Sequence, residues 1–487
     1  MVAQTSTAQA ETVLVIPFEN QSKAPGIEWI GESFPELLEE RLSSPTLFVM
    51  PREDRLRAYD RANIPAEVHP SRATIYRIAE QLDADCVVLG RYNFDGRTFT
   101  AAAQLLDMRN QKLLPEVSES GPLTGLIDIQ AALAWDLLHM LRPQSMTTRQ
   151  AYLAGAASVR LDAFENYVRG IIAPTADEQL RRFGEAVRLS PDYFDAVLQL
   201  GKVCYRQAQY QQAVSWLSHI PPDNPNNQEA NFYLGLAAYY QGDMAQAEKA
   251  FRTVESRLPL NEVYNNLGVV LSHHDRKNAA EYFARASEAD PDDPDYCFNL
   301  GVELYQMGDL SGAARQLHQA LTLRPDDPEA KSLSDAIAAR TGTRTGTGAA
   351  SVNVKVPIER IRANYDESSF RQLALKIDAA AEQRLAKSDP RRHAQFHADR
   401  GHELLGKGSF LKRNVSFVKP SLWTLRTRPR MQGWQAFLKQ RTMWPARARK
   451  PSRPCSNGSP PNLCWCLPAS ISKRTMWLKR RGIWMKP

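Results

Sequence analysis

Leu234-Gly235-Leu236-Ala237-Ala238-Tyr239-Tyr240-Gln241-Gly242, followed by Ala247, Phe251 and Pro259, is the stretch whose reading decides the fold. The same pattern returns along the chain. Leu-Gly pairs place Gly201, Gly235, Gly268 and Gly301 at a near-constant period of roughly 34 residues. Gly301 is followed by Tyr305, Gly308, Ala313, Leu317, Ala320 and Pro325, and Gly268 by Ala280, Phe283, Ala286 and Pro291. Phe183, Ala186 and Pro191 mark an earlier, degenerate copy. A fixed period of this size signals stacked supersecondary units, each unable to bury its apolar face alone. Small residues at the first Gly and the Ala positions let two helices of one unit approach closely. The second Gly takes the turn between them, and Pro ends the second helix because it lacks a donor and disfavours helix before it.

These residues resemble the tetratricopeptide repeat pattern. Gly201, Gly235, Gly242, Ala247, Phe251, Gly268, Ala280, Gly301, Gly308, Ala313 and Pro325 are its packing positions. The resemblance implies an all-α superhelix of helix-turn-helix units over residues 164–337, about five units, with helix A of each unit lining a concave groove. Gln199, Lys202, Arg206, Asn231, Tyr233, Asn265, Asn266 and Asn299 fall between the packing positions of helices A, and they are expected exposed in that groove. Asparagines there suit the clamping of a peptide backbone or a terminal carboxylate through amide hydrogen bonds. The implied activity is non-catalytic binding of a protein or peptide partner.

Residues 12–145 alternate strand and helix patterns. Val13–Phe18 is a continuous apolar run, as in a strand covered on both faces. Helices are expected over Glu28–Leu42, around Ile75–Leu82 and over Leu126–Leu141. Strands are expected at Thr46–Met50 and Cys86–Gly90, with Arg91–Phe94 and Phe99–Leu106 forming a hairpin about Asp95-Gly96. Val15-Ile16-Pro17-Phe18-Glu19-Asn20, Ala84 to Gly90, and Ala103-Gln104-Leu105-Leu106-Asp107 resemble the small α/β domain at the N-terminus of TolB. That resemblance implies a binding and assembly element without catalytic residues, and Glu19 and Asp107 stand without a paired base or nucleophile. The fold class is thus an α/β N-terminal domain followed by an all-α solenoid, with residues 146–163 as a connecting helix.

Beyond the array, 338–352 is a Gly/Thr-rich linker, and its Gly-Thr-Arg-Thr-Gly-Thr-Gly lacks the Gly-Lys-Ser/Thr of a phosphate loop. Residues 353–410 hold helical sequence and a partial repeat at Gly401, Leu404, Leu405 and Gly408. The tail, 411–487, then breaks every compositional habit of the chain. It carries 18 Lys or Arg, no Asp or Glu, six of the nine Trp and three of the six Cys. Residues 1–410 carry 43 basic and 54 acidic side chains, so the formal +7 belongs to the tail. Codon overlap points to a frameshift. Read one base earlier, the codons over Arg413, Phe417, Pro420 and Leu425 can supply Ala (or Thr), Phe (or Leu), Ala (or Thr) and Pro (or Ala, Ser or Thr), which fits the helix B residues that the unit at Gly401 lacks. The basic tail is therefore expected to be disordered, and it counts as evidence for a nucleic-acid binder only if its frame is genuine.

Other chemistry reads as ordinary. Cys86, Cys204 and Cys297 lie in apolar segments as buried thiols. His393, His397 and His402 lack a companion carboxylate in zinc-protease spacing, His273-His274-Asp275 fits a turn, and no cofactor or metal is implied. No apolar run is long enough to span a bilayer, so no transmembrane segment is expected. The small residues before Ala10 resemble the end of a secretory signal, which favours the periplasm or the bacterial envelope; the alternative is a cytoplasmic scaffold for a cyclase or kinase system.

Overall fold

A computed structural model describes residues 11–44, 47–66, 68–143, 148–154, 159–342, 359–374 and 377. The signal-like start, most of the linker, the histidines at 393–402, the partial repeat at Gly401 and the tail at 411–487 lie outside the described residues. The N-terminal part is a mixed sheet of β1 (Glu11–Val15), β2 (Glu19–Asn20), β3 (Leu47–Val49), β4 (Cys86–Phe94), β5 (Phe99–Asp107), β6 (Lys112–Leu113) and β7 (Val117–Gly121). The order is β3-β1-β4-β5-β6, with β2 also on β4 and β7 also on β5. β1 runs parallel to β3 and β4, whereas β4 and β5 form an antiparallel hairpin that reverses at Asp95-Gly96.

β1 explains why the sheet needs cover on both sides. Val13 and Val15 enter one core, with Phe34 and Leu38 of α1 (Ile30–Leu42) and Leu133 and Leu137 of α4 (Leu126–Leu141). Leu14 and Ile16 enter another, with Tyr59 of α2 (Arg52–Arg61) and Ile75 and Ile78 of α3 (Arg72–Gln81). Period-two alternation of a strand divides its side chains between the faces. Two elements escape the apolar pattern. α2 buries only Arg55, Ala58 and Tyr59, and β7, Val117-Ser118-Glu119-Ser120-Gly121, is polar and has no fully buried residue.

Of the stretch 146–163, α5 covers Arg149–Ala154, and Leu161 onward belongs to the first array helix. Five helix pairs follow. They are α6 (Leu161–Ile171) with α7 (Ala176–Leu189), α8 (Phe194–Arg206) with α9 (Tyr210–Leu217), and α10 (Asn227–Gln241) with α11 (Met244–Glu255). α12 (Asn261–Leu271) then pairs with α13 (Arg276–Ala289), and α14 (Pro294–Met307) with α15 (Leu310–Leu323). α16 (Pro328–Arg340) closes the array. No helix among the described residues is long and apolar enough to cross a membrane.

Every pair closes on one contact. A Cβ on Gly170, Gly201, Gly235, Gly268 or Gly301 would stand within 2.6–2.9 Å of Phe183, Leu217, Phe251, Phe283 or Leu317, respectively. Gly170 completes the degenerate first unit and stands closer to Gly201 than the period that locates the others. One packing position moves. Ala280 is only partly buried, and Ala279 takes the fully buried place of Ala247 and Ala313. α12 ends sooner after its glycine than α10 and α14 do, and α13 begins eight residues after Gly268 where α11 and α15 begin nine after Gly235 and Gly301, so α13 arrives one residue early.

The sheet and the array share a core. Trp29 meets Phe164 edge-on at 6.3 Å, the Tyr167 hydroxyl donates to Glu36 at 3.0 Å, and one buried cluster runs from Val13 to Ala250.

Gly242 and Gly308 take the left-handed conformation, φ +82° and +88°, and end α10 and α14. Ala208 holds the equivalent place after α8 at φ +57°, where a Cβ is disfavoured. Ala208→Gly should therefore stabilise the chain by roughly 0.5–1 kcal/mol, whereas Gly235→Ala should destabilise it by about 1–3 kcal/mol through overpacking on Phe251. Urea unfolding of both variants beside the parent checks the two signs.

Candidate functional site

α10, α12 and α14, the helices A of three successive units, together with the start of α16, line a groove. Residues 359–366 of the chain itself lie in it as an extended segment and run on into helical residues 367–374. Three of the asparagines singled out by the repeat pattern hold this segment by its backbone. Asn299 Oδ1 accepts from Arg360 N at 2.7 Å, and its Nδ2 donates to Arg360 O at 2.8 Å. Asn266 repeats the arrangement on Arg362, at 2.7 and 2.8 Å. Asn265 Nδ2 donates to Arg360 O at 2.8 Å, and its Oδ1 accepts from Asn299 at 2.7 Å. A side-chain amide that pairs with the N–H and C=O of one residue reproduces the pairing of a neighbouring β-strand, and here it does so at alternate residues of an extended chain.

The amide contacts ignore side-chain identity, whereas the surroundings do not. Arg360 donates to Asp295 at 2.8 Å, to Asp327 at 2.7 and 3.0 Å and to Glu329 at 2.8 Å, and its guanidinium lies 3.7 Å from the Phe298 ring centroid. Arg362 donates to Asp295 at 3.0 Å, contacts Asp293 and lies over the Tyr296 ring. Burial opposes the Arg360 charge, but its hydrogen bonds to Asp327, Glu329 and Asp295 prevail and hold it above the ordinary range. The carboxylates come from helix starts. Asp293 and Asp327 cap α14 and α16, each ahead of a proline at the first helical position. Farther along, Tyr365 packs on Phe232 at 5.2 Å, Asp366 N donates to Glu262 at 2.7 Å, and Gln372 donates to Leu82 O in the sheet domain at 3.1 Å.

The repeat pattern predicts Asn265, Asn266 and Asn299 exposed; each is fully buried, because the segment covers them. The other candidates have different surroundings. Lys202, also expected exposed, is buried instead: it donates to Glu229 at 2.6 Å, faces Glu53 of the sheet domain at 3.8 Å and lies over Tyr233, so it ties the two domains together. Burial works against its charge, yet Glu229 and Glu53 keep it above the ordinary lysine range. Arg206 donates to Gln179 at 3.0 Å, Asn231 donates to Asn227 O within its own helix, and Gln199 is half-buried. The acidic wall carried a signal that the repeat pattern did not use: Asp292-Asp293-Pro294-Asp295 and Asp326-Asp327-Pro328-Glu329 recur one repeat period apart. Among the described residues no group of His, Cys, Asp or Glu is arranged to hold a metal. Cys86, Cys204 and Cys297 are free and buried, and Asp107 accepts from Arg109 N and Asn110 N within its own turn.

The tetratricopeptide repeat family matches this chain at residues 176–231 and 270–337, and a second form of the repeat at 222–262 and 232–294. The array is built of tetratricopeptide repeats. A tetratricopeptide repeat-containing protein of Pseudomonas aeruginosa, PA4667, is 29% identical over 167 residues, 34% of this chain and 28% of that protein. The chain thus matches less than a third of this relative's length. Among solved structures, YrrB, described as a tetratricopeptide protein with an unusual peptide-binding site, aligns over 37% of this chain and 89% of its own at 19% identity and TM-score 0.32. MamA of Desulfovibrio magneticus aligns over 35% of this chain and 99% of its own at 18% identity and TM-score 0.32. Neither likeness bears on function.

Tetratricopeptide side chains also set a titration. Glu303 of α14 is fully buried, and burial raises its carboxyl to about 7, with Arg276 pulling it down and Glu359 pushing it up. The folded state binds this proton more tightly than a glutamate of ordinary pKa 4.5, so its stabilising contribution is complete below pH 4.5 and is lost as pH rises through about 7. Glu303→Gln should match the parent near pH 4.5 and exceed it at pH 8 by roughly 1–3 kcal/mol, read from urea unfolding at both values. In the groove, Asn266→Ala with Asn299→Ala removes the paired amides that hold residues 360 and 362. Trypsin should then cut after Arg360 and Arg362 faster by an order of magnitude or more, since each lost bond is worth about 1 kcal/mol and cleavage follows the open population.

Proposed function

We propose that this chain is a non-catalytic scaffold that binds another protein by gripping an extended segment in the groove of its tetratricopeptide array. The observation that carries the reading is the seating of Arg360 and Arg362 by Asn299, Asn266 and Asn265 through main-chain atoms. A groove that satisfies both polar groups of alternate residues is suited to any extended chain, which is how strand-type recognition gains affinity independent of sequence. Tetratricopeptide proteins generally mediate protein–protein contact, and a scaffold of this kind asks nothing of catalysis.

On the same footing, the sheet domain is read as a TolB-like assembly element, and the bacterial envelope as the setting, against the cytoplasmic alternative. Residues 411–487 are read as out of frame, so their basic charge does not enter the function and nucleic acid is not taken as the partner. The DNA from codon 395 onward checks this. A one-base change near codon 411 that restores Ala, Phe, Ala and Pro in repeat register supports the reading, and native codon usage through Pro487 overturns it.

The scaffold reading itself is tested on the full chain carrying Arg360→Ala and Arg362→Ala, which strips the segment of its contacts with Asp295, Asp327 and Glu329 and so weakens its hold on the groove. Panned against random dodecapeptides, this variant should enrich binders whose affinity falls at least tenfold, about 1.4 kcal/mol, when Asn265, Asn266 and Asn299 are also changed to Ala. Binders indifferent to the three asparagines, or none at all from a variant of native circular dichroism, would overturn the groove as the binding surface.

A further inference from the structure

Resting on the scaffold reading, the geometry points to a specific ligand: we infer that the groove reads an extended Arg-X-Arg segment of a partner protein, and that Arg360-Ile361-Arg362 occupies that place in cis until the partner displaces it. Amide clamps fix the backbone of residues 360 and 362 but would accept any side chain. The walls are what select. Arg360 meets three carboxylates and the Phe298 face at once, and its paired bonds to Asp327 are the fork-on-carboxylate geometry that a lysine ammonium does not reproduce. Arg362 shares Asp295 with Arg360, so one aspartate serves both guanidiniums and sets their spacing at two residues. Asp295 and Asp327 are buried under this cover, where carboxylates need cations opposite them; Arg324 of the array faces them at 2.8 and 3.7 Å, and Arg360 and Arg362 add the rest. Ile361, between the arginines, packs on the apolar cores of the third and fourth units, a less demanding contact.

On this proposal the seating is exchangeable. Between Arg340, the last residue of α16, and Glu359 run eighteen residues, the first eleven of them, 341–351, Gly/Thr-rich sequence of the linker kind. A tethered ligand competes at an effective concentration of order millimolar, which a partner must exceed in affinity. A groove that owns its occupant therefore favours partners carrying the same pair of arginines over chains that offer backbone alone.

The test uses a fluorescein-labelled peptide of residues 357–368 added to two full-length proteins, the parent and Arg360→Ala/Arg362→Ala, read by anisotropy. The freed variant is expected to bind at least tenfold more tightly than the parent. A peptide with both arginines changed to Lys should lose tenfold or more, and one with both changed to Ala should lose binding altogether. Equal affinity for parent and freed variant overturns the cis occupancy. Equal affinity for the Arg, Lys and Ala peptides overturns the selectivity while leaving the asparagine grip, and with it the scaffold reading, in place. If the freed variant, folded by circular dichroism, binds neither this peptide nor panned dodecapeptides, both readings fail. Should the double variant not fold, Asp327→Asn in the otherwise unchanged chain replaces it, with faster tryptic cleavage after Arg360 expected and an unchanged rate counting against the proposal.

Discussion

The contact on which the array depends is the approach of helix A to helix B at a residue without a Cβ. Phe183, Leu217, Phe251, Phe283 and Leu317 each lie against a glycine of the preceding helix, at distances where a methyl group would collide. This contact sets how close the two helices stand. The groove follows from it: with helices A brought to one side, Asn265 and Asn266 of one unit and Asn299 of the next come within hydrogen-bond reach of each other. A single unit offers an amide or two; stacked units offer a row at the spacing of an extended chain.

Charge is arranged with the same economy. Carboxylates that cap helices A are placed there for local reasons, since an N-terminal aspartate accepts from free amides and meets the positive end of the helix. The stacking then collects Asp293, Asp295 and Asp327 at one end of the groove. Local capping thus yields an acidic wall as a consequence of repetition, and the arginines at 360 and 362, together with Arg324 of the array, face it. Lys202 illustrates the other outcome. It occupies a helix A position too, but the sheet domain reaches it with Glu53, and it becomes part of the joint between domains.

What the sequence made legible was whatever repeats or alternates. Leu126–Leu141 is the observed α4 residue for residue, because its apolar positions keep helical period over four turns. Gly201, Gly235, Gly268 and Gly301 located the array for the same reason. Elements held by other means were silent. α2 buries the stem of Arg55 and so reads as solvated, β7 has no apolar face, and Gly170 lies off the period although it performs the same contact as its successors. Counting from the glycine points to Ala280, and the start of α13 one residue early moves the role to Ala279. In the groove, the asparagines were visible as polar residues at packing-free positions of helix A. Their burial was not, for it depends on a segment some sixty to a hundred residues away in sequence, and no local pattern encodes what will lie across it.

A solenoid is mechanically a spring, because each unit touches only its neighbours and small rotations between units add along its length. Residues 359–374 run across this spring from Asp327 at the last helix, over α14, α12 and α10, to Leu82 in the sheet domain. The sheet domain in turn shares its core with the first three units. The coil is thus fixed at one end and tied along the rest, and its pitch is held by the strap as well as by the repeats. Withdrawing the strap releases the later units while the earlier ones stay clamped, so the compliance of the molecule is confined to the half of the array that carries the asparagines.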